Sequence, residues 1–273
     1  MPRWTVDSPT RLDFDDVTAL KVRLIGGTVA VLASDEQPSL VVSELSGRPL
    51  QVSYEDANGT LTVSYESLTW DGLLGFLKPR HDVAEVTISV PADCAIQLGV
   101  LSASAVVSGL GSGASVKAMS GDITLDGVAG DVDAETMSGE LAARDLAGSV
   151  HFKSMSGPLA LASGCLDGLH ATTMSGQIAA DFALGEGGQV RVSTMSGDVT
   201  LRLPAESHAE VRLQSTSGAV RSEFDSLGTF QAPASRTVSG NVGAGTGRVS
   251  VTTMSGSVTL LRRAPVEMES KTL

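Results

Sequence analysis

The sequence predicts an all-β protein built as a parallel, β-helix-like β-solenoid of about eight turns of 16–22 residues, with an irregular β cap at its N-terminal end. Three observations predict it. A Met-Ser-Gly phrase or close variant recurs eight times, with serines at 120, 138, 156, 175, 196, 217, 239 and 255, so the spacings are 18, 18, 19, 21, 21, 22 and 16 residues. A period of this length marks a supersecondary unit stacked on copies of itself. Around each phrase the apolar residues alternate with period two, and no helical period of ten or more residues intervenes.

Aligned on the methionine position, the copies define each element of the unit. Five residues earlier stand Ala114, Val132, Val150, Leu169, Val190, Val211, Pro233 and Val249, and three earlier stand Val116, Ala134, Phe152, Ala171, Val192, Leu213, Ser235 and Val251. Four residues later the position is always apolar: Ile123, Leu141, Leu159, Ile178, Val199, Val220, Val242 and Val258. Alternation rich in Val and Ile describes a strand with one buried face. The Ser-Gly pair separates two such strands, where glycine allows positive φ or close backbone approach and a hydroxyl can bond nearby backbone. The repeat corners are thus Met119-Ser120-Gly121, Met137-Ser138-Gly139, Met155-Ser156-Gly157, Met174-Ser175-Gly176, Met195-Ser196-Gly197 and Met254-Ser255-Gly256. A second glycine punctuation at Gly130, Gly148, Gly168, Gly188 and Gly247 marks the return. Eight turns at the β spacing would make a rod roughly 40 Å long. The methionines are expected to stack as a flexible apolar ladder filling an irregular gap. A soft-metal methionine site is rejected, because no Cys or His accompanies any copy.

Three regions follow. Residues 1–95 read as irregular early turns and a cap, residues 96–261 as the Ser-Gly array, and residues 262–273 as a polar tail. Six of the ten aromatics, Trp4, Phe14, Tyr54, Tyr65, Trp70 and Phe76, precede residue 82, so the N-terminal third is built differently. It still alternates, at Leu20, Val22, Leu24, at Leu61, Val63, Tyr65 and at Val86, Ile88, Val90, with turn signals at Gly26-Gly27, Pro38, Gly47 and Asn58-Gly59. Arg262, Arg263 and Pro265 are expected to block an open strand edge. In Ser67–His81, Trp70, Leu73, Leu74 and Leu77 fall at helical spacing, and this segment either folds back as a cap or forms a partner contact, with Gly72 and Gly75 weakening the contact reading.

Composition bounds the function. At 273 residues and 42% hydrophobic content the chain can bury a large core. A formal net charge of −12, with no basic stripe or aromatic-basic platform along the sequence, argues against nucleic acid. The N-terminus carries Asp13, Asp15 and Asp16 and lacks a signal-peptide core, and no run is long enough for a membrane span, so a cytoplasmic protein is expected. Cys94 and Cys165 are expected reduced and packed as small hydrophobes.

Catalytic motifs are not found: there is no G-x-S-x-G, H-E-x-x-H, G-x-x-x-x-G-K, G-x-G-x-x-G or C-x-x-C. Asp122 and Glu140 follow successive Ser-Gly pairs and are the nearest approach to a carboxylate pair, read here as surface acids. Four residues before the methionine, Ser115, Asp133, His151, His170, Arg191, Arg212, Ala234 and Ser250 form an outward column, where a metal clip at His151 and His170 is disfavoured by the flanking arginines and a solvated polar ladder preferred. Two before it, Lys117, Glu135 and Lys153 read as charge pairing that fixes register. No catalytic residue, metal or cofactor is assigned.

The opening Met-Pro-Arg-Trp-Thr-Val, the Ala-Leu-Lys-Val-Arg-Leu strand, Ser-Leu-Thr-Trp-Asp-Gly, the Val90–Asp93 corner, the Ser-Gly repeats and the closing Ser-Val-Thr-Leu-Leu-Arg-Arg together resemble a bacterial family of β-strand-repeat proteins. That family carries an adhesin label and is also called the toastrack domain. The resemblance covers nearly the whole chain and implies a β-helix-like fold without known catalysis, in relatives found in envelope-stress contexts beside membrane modules. It transfers no functional residues. The expectation is a non-catalytic binding or scaffolding protein with a protein partner, possible links to envelope-stress signalling being implied by the resemblance. A self-assembling rod and a carbohydrate-active β-helix enzyme are the alternatives.

Overall fold

The computed structural model describes residues 2–65, 82–232 and 235–264. Among them 23 strands form one hydrogen-bonded network, and no helix is present. The segment holding Trp70, Leu73, Leu74 and Leu77 lies outside the described residues.

Each central repeat supplies one strand before its corner and one after it, and each pairs in parallel with its counterpart in the next repeat. Before the corner, Val116 faces Ala134, then Phe152, Ala171 and Val192; after it, Ile123 faces Leu141, then Leu159, Ile178 and Val199. All ten are at most 1% exposed. Equal repeat position means equal strand position, so the apolar alternation stays in phase across the pairings and builds one continuous core. In Leu141–Ser154, Leu159–Thr173 and Ile178–Thr194 the strand continues through the return, which is accommodated by bulges and by Asp145 and Ser163 at φ 52° and 63°.

The ends depart from a simple succession of eight turns. The first pair of strands, Ala19–Leu24 and Gly26–Ala33, lies between Thr60–Tyr65 with Val83–Val90 on one side and Ala95–Val100 with Ser104–Ser108 on the other. The last pair, Gly247–Thr253 and Val258–Arg263, is likewise interior. It separates the strands around Met195 from Ala209–Ser215 and Val220–Ser222. Antiparallel strands close the stack: Arg3–Val6 on Leu50–Glu55 on Thr60–Tyr65, Thr10–Asp13 on Ser39–Ser46 on Val83–Val90, and Gly228–Ala232 on Ser235–Val242 on Ala209–Ser215. An antiparallel strand laid on an outermost parallel strand pairs the backbone groups that the parallel stack would leave open there.

Two sequence expectations, the Ser239 corner and the burial of Cys165, are corrected by this arrangement. The copy at Ser239 is not a corner: it lies inside an antiparallel strand, opposite Arg212. Arg262 and Arg263 end a strand whose Val258–Leu260 part is covered on both sides; they face Leu203 and Pro204 on one side, Glu223 accepts the backbone N–H of Arg262 at 2.8 Å on the other, and Arg263 reaches Asp181 at 3.0 Å. Cys94 is buried, but Cys165 is exposed. The bulge between Ala162 and Cys165 breaks the alternation that would have turned Cys165 inward.

Candidate functional site: an exposed methionine row

The corner is assembled from four consecutive residues. The first is Thr136, Thr173, Thr194 or Thr253, or Ser215 in the Thr-Ser-Gly copy; all are buried. Its hydroxyl accepts the N–H of the glycine three residues later at 2.8–3.0 Å. That bond turns the chain within one residue of the core and leaves the methionine and serine facing outward. Ser154, at the equivalent place, has a buried hydroxyl with no hydrogen-bond partner.

The corner glycines are required by close approach and not by positive φ, which none of them has. A Cβ on Gly139 would stand 2.0 Å from the carbonyl oxygen of Gly121, and one on Gly157 2.0 Å from that of Gly139. The same contact recurs at Gly176, Gly197, Gly256 and Gly218, so each glycine sits against the backbone of the glycine below it. At the bottom Gly121 meets the carbonyl of Ala103.

Each corner serine donates its backbone N–H to the methionine carbonyl of the neighbouring repeat at 2.9–3.0 Å: Ser138 to Met119, Ser156 to Met137, Ser175 to Met155, Ser196 to Met174, Ser255 to Met195 and Ser217 to Met254. The methionines are therefore in register at one β spacing, about 4.8 Å. The row continues past Met119 to Leu101 and Ile25 through the N–H groups of Ser120 and Ser102. Met137, Met155, Met174, Met195 and Met254 are 45–57% exposed. This corrects the gap-filling expectation: the thioethers lie on the surface. The signal was present in the alternation itself, since counting on by two from the buried positions reaches the threonine and passes over the methionine.

Beside the row runs a groove of about 950 Å³, walled by the outward residues two places before the methionines. At one end Glu135 is held between Lys117 at 2.9 Å and Lys153 at 3.7 Å, as the spacing predicts. The hydrogen bond from Lys117 lowers the Glu135 carboxyl below its usual range, against the opposing effect of burial. From Thr172 through Ser193 to Thr252 the wall is uncharged. The arrangement is an apolar, polarizable strip on a rigid backing with one charged end.

The other columns have different roles. Asp122 accepts the backbone N–H of Glu140 at 3.0 Å, and Asp198 accepts that of Ser257 at 2.7 Å, so Asp122 is tied to backbone instead of being poised against Glu140. Asp133, His151, His170 and Arg191 face one another in that order, with the imidazole centroids 5.9 Å apart. Among the described residues no group of three or more His, Cys, Asp or Glu could hold a metal ion. Among them, too, no helix is long and apolar enough to cross a membrane.

A family model described as Toastrack DUF4097 matches residues 17–261. Among solved structures, the chain is similar to a candidate cell adhesion protein from Clostridium sporogenes at 13% identity, covering 94% of this chain and 100% of that one, with a TM-score of 0.29. It is also similar to a candidate lipid binding protein from Parabacteroides distasonis at 13% identity, covering 93% and 96%, TM-score 0.49. A candidate adhesin from Bacteroides fragilis matches at 12% identity, covering 93% and 98%, TM-score 0.40. No curated protein matches the sequence.

Proposed function

We propose that this chain, which belongs to the Toastrack DUF4097 family, is a non-catalytic, adhesin-like binding module whose β-helix-like array holds the methionine row out as a contact strip for the apolar face of a protein partner. The observation that carries the reading is the half exposure of five methionines in register. Scattered apolar side chains are ordinary on a surface, but a contiguous row is a mark of interaction sites. Methionine suits such a strip, because its unbranched, polarizable side chain adapts to irregular partners. The stacked glycines beneath hold the strip rigid, which reduces the ordering cost of association. The outermost strands, Arg3–Val6, Thr10–Asp13 and Gly228–Ala232, are only four, four and five residues long, and such short edges count against end-to-end polymerisation.

The test replaces Met155, Met174 and Met195 with Gln, which keeps length and removes apolarity. A partner recovered from cells is purified, and its Kd is measured with both forms. The expected outcome is an unchanged melting temperature and affinity at least tenfold weaker in the variant. Equal affinity of a folded variant for the purified partner would end the proposal.

A further inference from the structure

The outward column four places before the methionines carries Arg191 and Arg212, and the stacking order sets a serine between them. Because the last repeat is inserted before Ala209–Ser215, Ser250 lies between Arg191 and Arg212, facing each of them in the parallel register. In sequence order the two arginines would have been direct neighbours. His170 follows Arg191 on the other side, and His151 follows His170. The column runs along a trough of about 560 Å³.

Three features distinguish this column from an ordinary charged surface. Several arginines of the array meet carboxylates: Arg144 meets Asp126 at 2.6 Å, Arg263 meets Asp181 at 3.0 Å and Arg248 meets Glu210 at 2.9 Å. Arg191 and Arg212, both exposed, have no carboxylate partner among the described residues, in a protein with 31 acidic and 19 basic side chains. Carboxylates that border the trough do not neutralise the pair, since Glu210 is engaged by Arg248 and Asp133 lies beyond His151. Finally, the two arginines stand two β spacings apart, roughly 9–10 Å, which lets two long side chains converge on one group from opposite sides.

We propose that the Arg191–Ser250–Arg212 column binds a phosphate group, seated over Ser250 between the two guanidinium forks. A carboxylate offers two oxygens, and a single fork fills both. A phosphate offers three or more, enough for two forks and the intervening hydroxyl, and its second negative charge suits the double cation. Inorganic phosphate and the phosphomonoester headgroup of a lipid present the same chemistry. The site is separate from the methionine row and does not depend on it.

Calorimetric titration with inorganic phosphate and flotation with phosphatidic acid–phosphatidylcholine vesicles distinguish the two sources, with pure phosphatidylcholine vesicles as the blank. Arg191→Gln, Arg212→Gln and the double variant are compared with wild type and with Arg262→Gln, which removes one surface charge elsewhere. The expected result is saturable binding in at least one arm, weakened about tenfold or more by each single change, abolished by the double, and left intact by Arg262→Gln. Binding should also weaken as salt is raised. Binding of inorganic phosphate alone identifies a soluble ligand, and binding of phosphatidic acid vesicles alone identifies a lipid surface. No saturable binding in either arm, or an equal loss with Arg262→Gln, overturns the proposal.

Discussion

A single atom decides the corner. The carbonyl oxygen of Gly139 lies where a Cβ on Gly157 would stand, at 2.0 Å, and the same holds along the column. Backbone cannot yield as the tip of a side chain can, so Gly157→Ala must push two repeats apart. It is expected to destabilise the protein by about 3 kcal/mol, the upper end of overpacking costs. Urea denaturation checks this, and a loss under about 1 kcal/mol, the ordinary cost of a helix or strand propensity change, would contradict the close-approach account. At this scale the Ser-Gly pair was legible as a corner, but its reason was not, because sequence leaves positive φ and close approach as equal alternatives. The supporting threonine was missed altogether. Its hydroxyl bond to the glycine N–H is visible only when the turn is built.

At the scale of the strand, alternation identified both faces and predicted which side chains stack. Lys117, Glu135 and Lys153 meet as their spacing requires. The lowered carboxyl of Glu135 has a definite consequence for stability against pH. Its ion pairs contribute fully above the unfolded value of about 4.3, and the contribution is lost as pH falls through the lower native value. Both partners are partly exposed, so the effect is expected to be under about 1 kcal/mol. Glu135→Gln should therefore be less stable than wild type at pH 7, with the gap closing toward pH 3. Denaturant titrations at both pH values measure it, and a gap independent of pH would assign the loss to something other than charge. The outward direction of the methionines also belongs to this scale. It follows from the alternation, but the apolar character of methionine suggests the core, and only the buried threonine beside it resolves the conflict.

For the whole molecule, the consequential feature is the order of stacking. The last repeat lies inside the array, so Gly247–Thr253 and Val258–Leu260 are covered on both sides although they come near the end of the described chain. Hydrogen exchange should find the amides of Val251 and Leu260 protected to within about 1 kcal/mol of those of Val192 and Leu201, while Gly228–Ala232 in the outer hairpin exchanges quickly. Exchange of residues 249–260 as fast as the outer hairpin would refute the inserted order. The same insertion places Ser250 between two arginines and creates the trough along them.

The sequence by itself determined the all-β class, the repeat, its corner positions and the in-phase core, because all of these depend on local alternation and on a spacing that copies itself. Only the tertiary structure decided which repeats are neighbours, that the Ser239 copy is not a corner, that the last repeat is inserted into the stack, and that Arg191 and Arg212 flank a hydroxyl. The physical reason is the repeat itself. Copies that share one alternation and one spacing can pair in more than one order, and the local pattern does not encode which order the chain adopts.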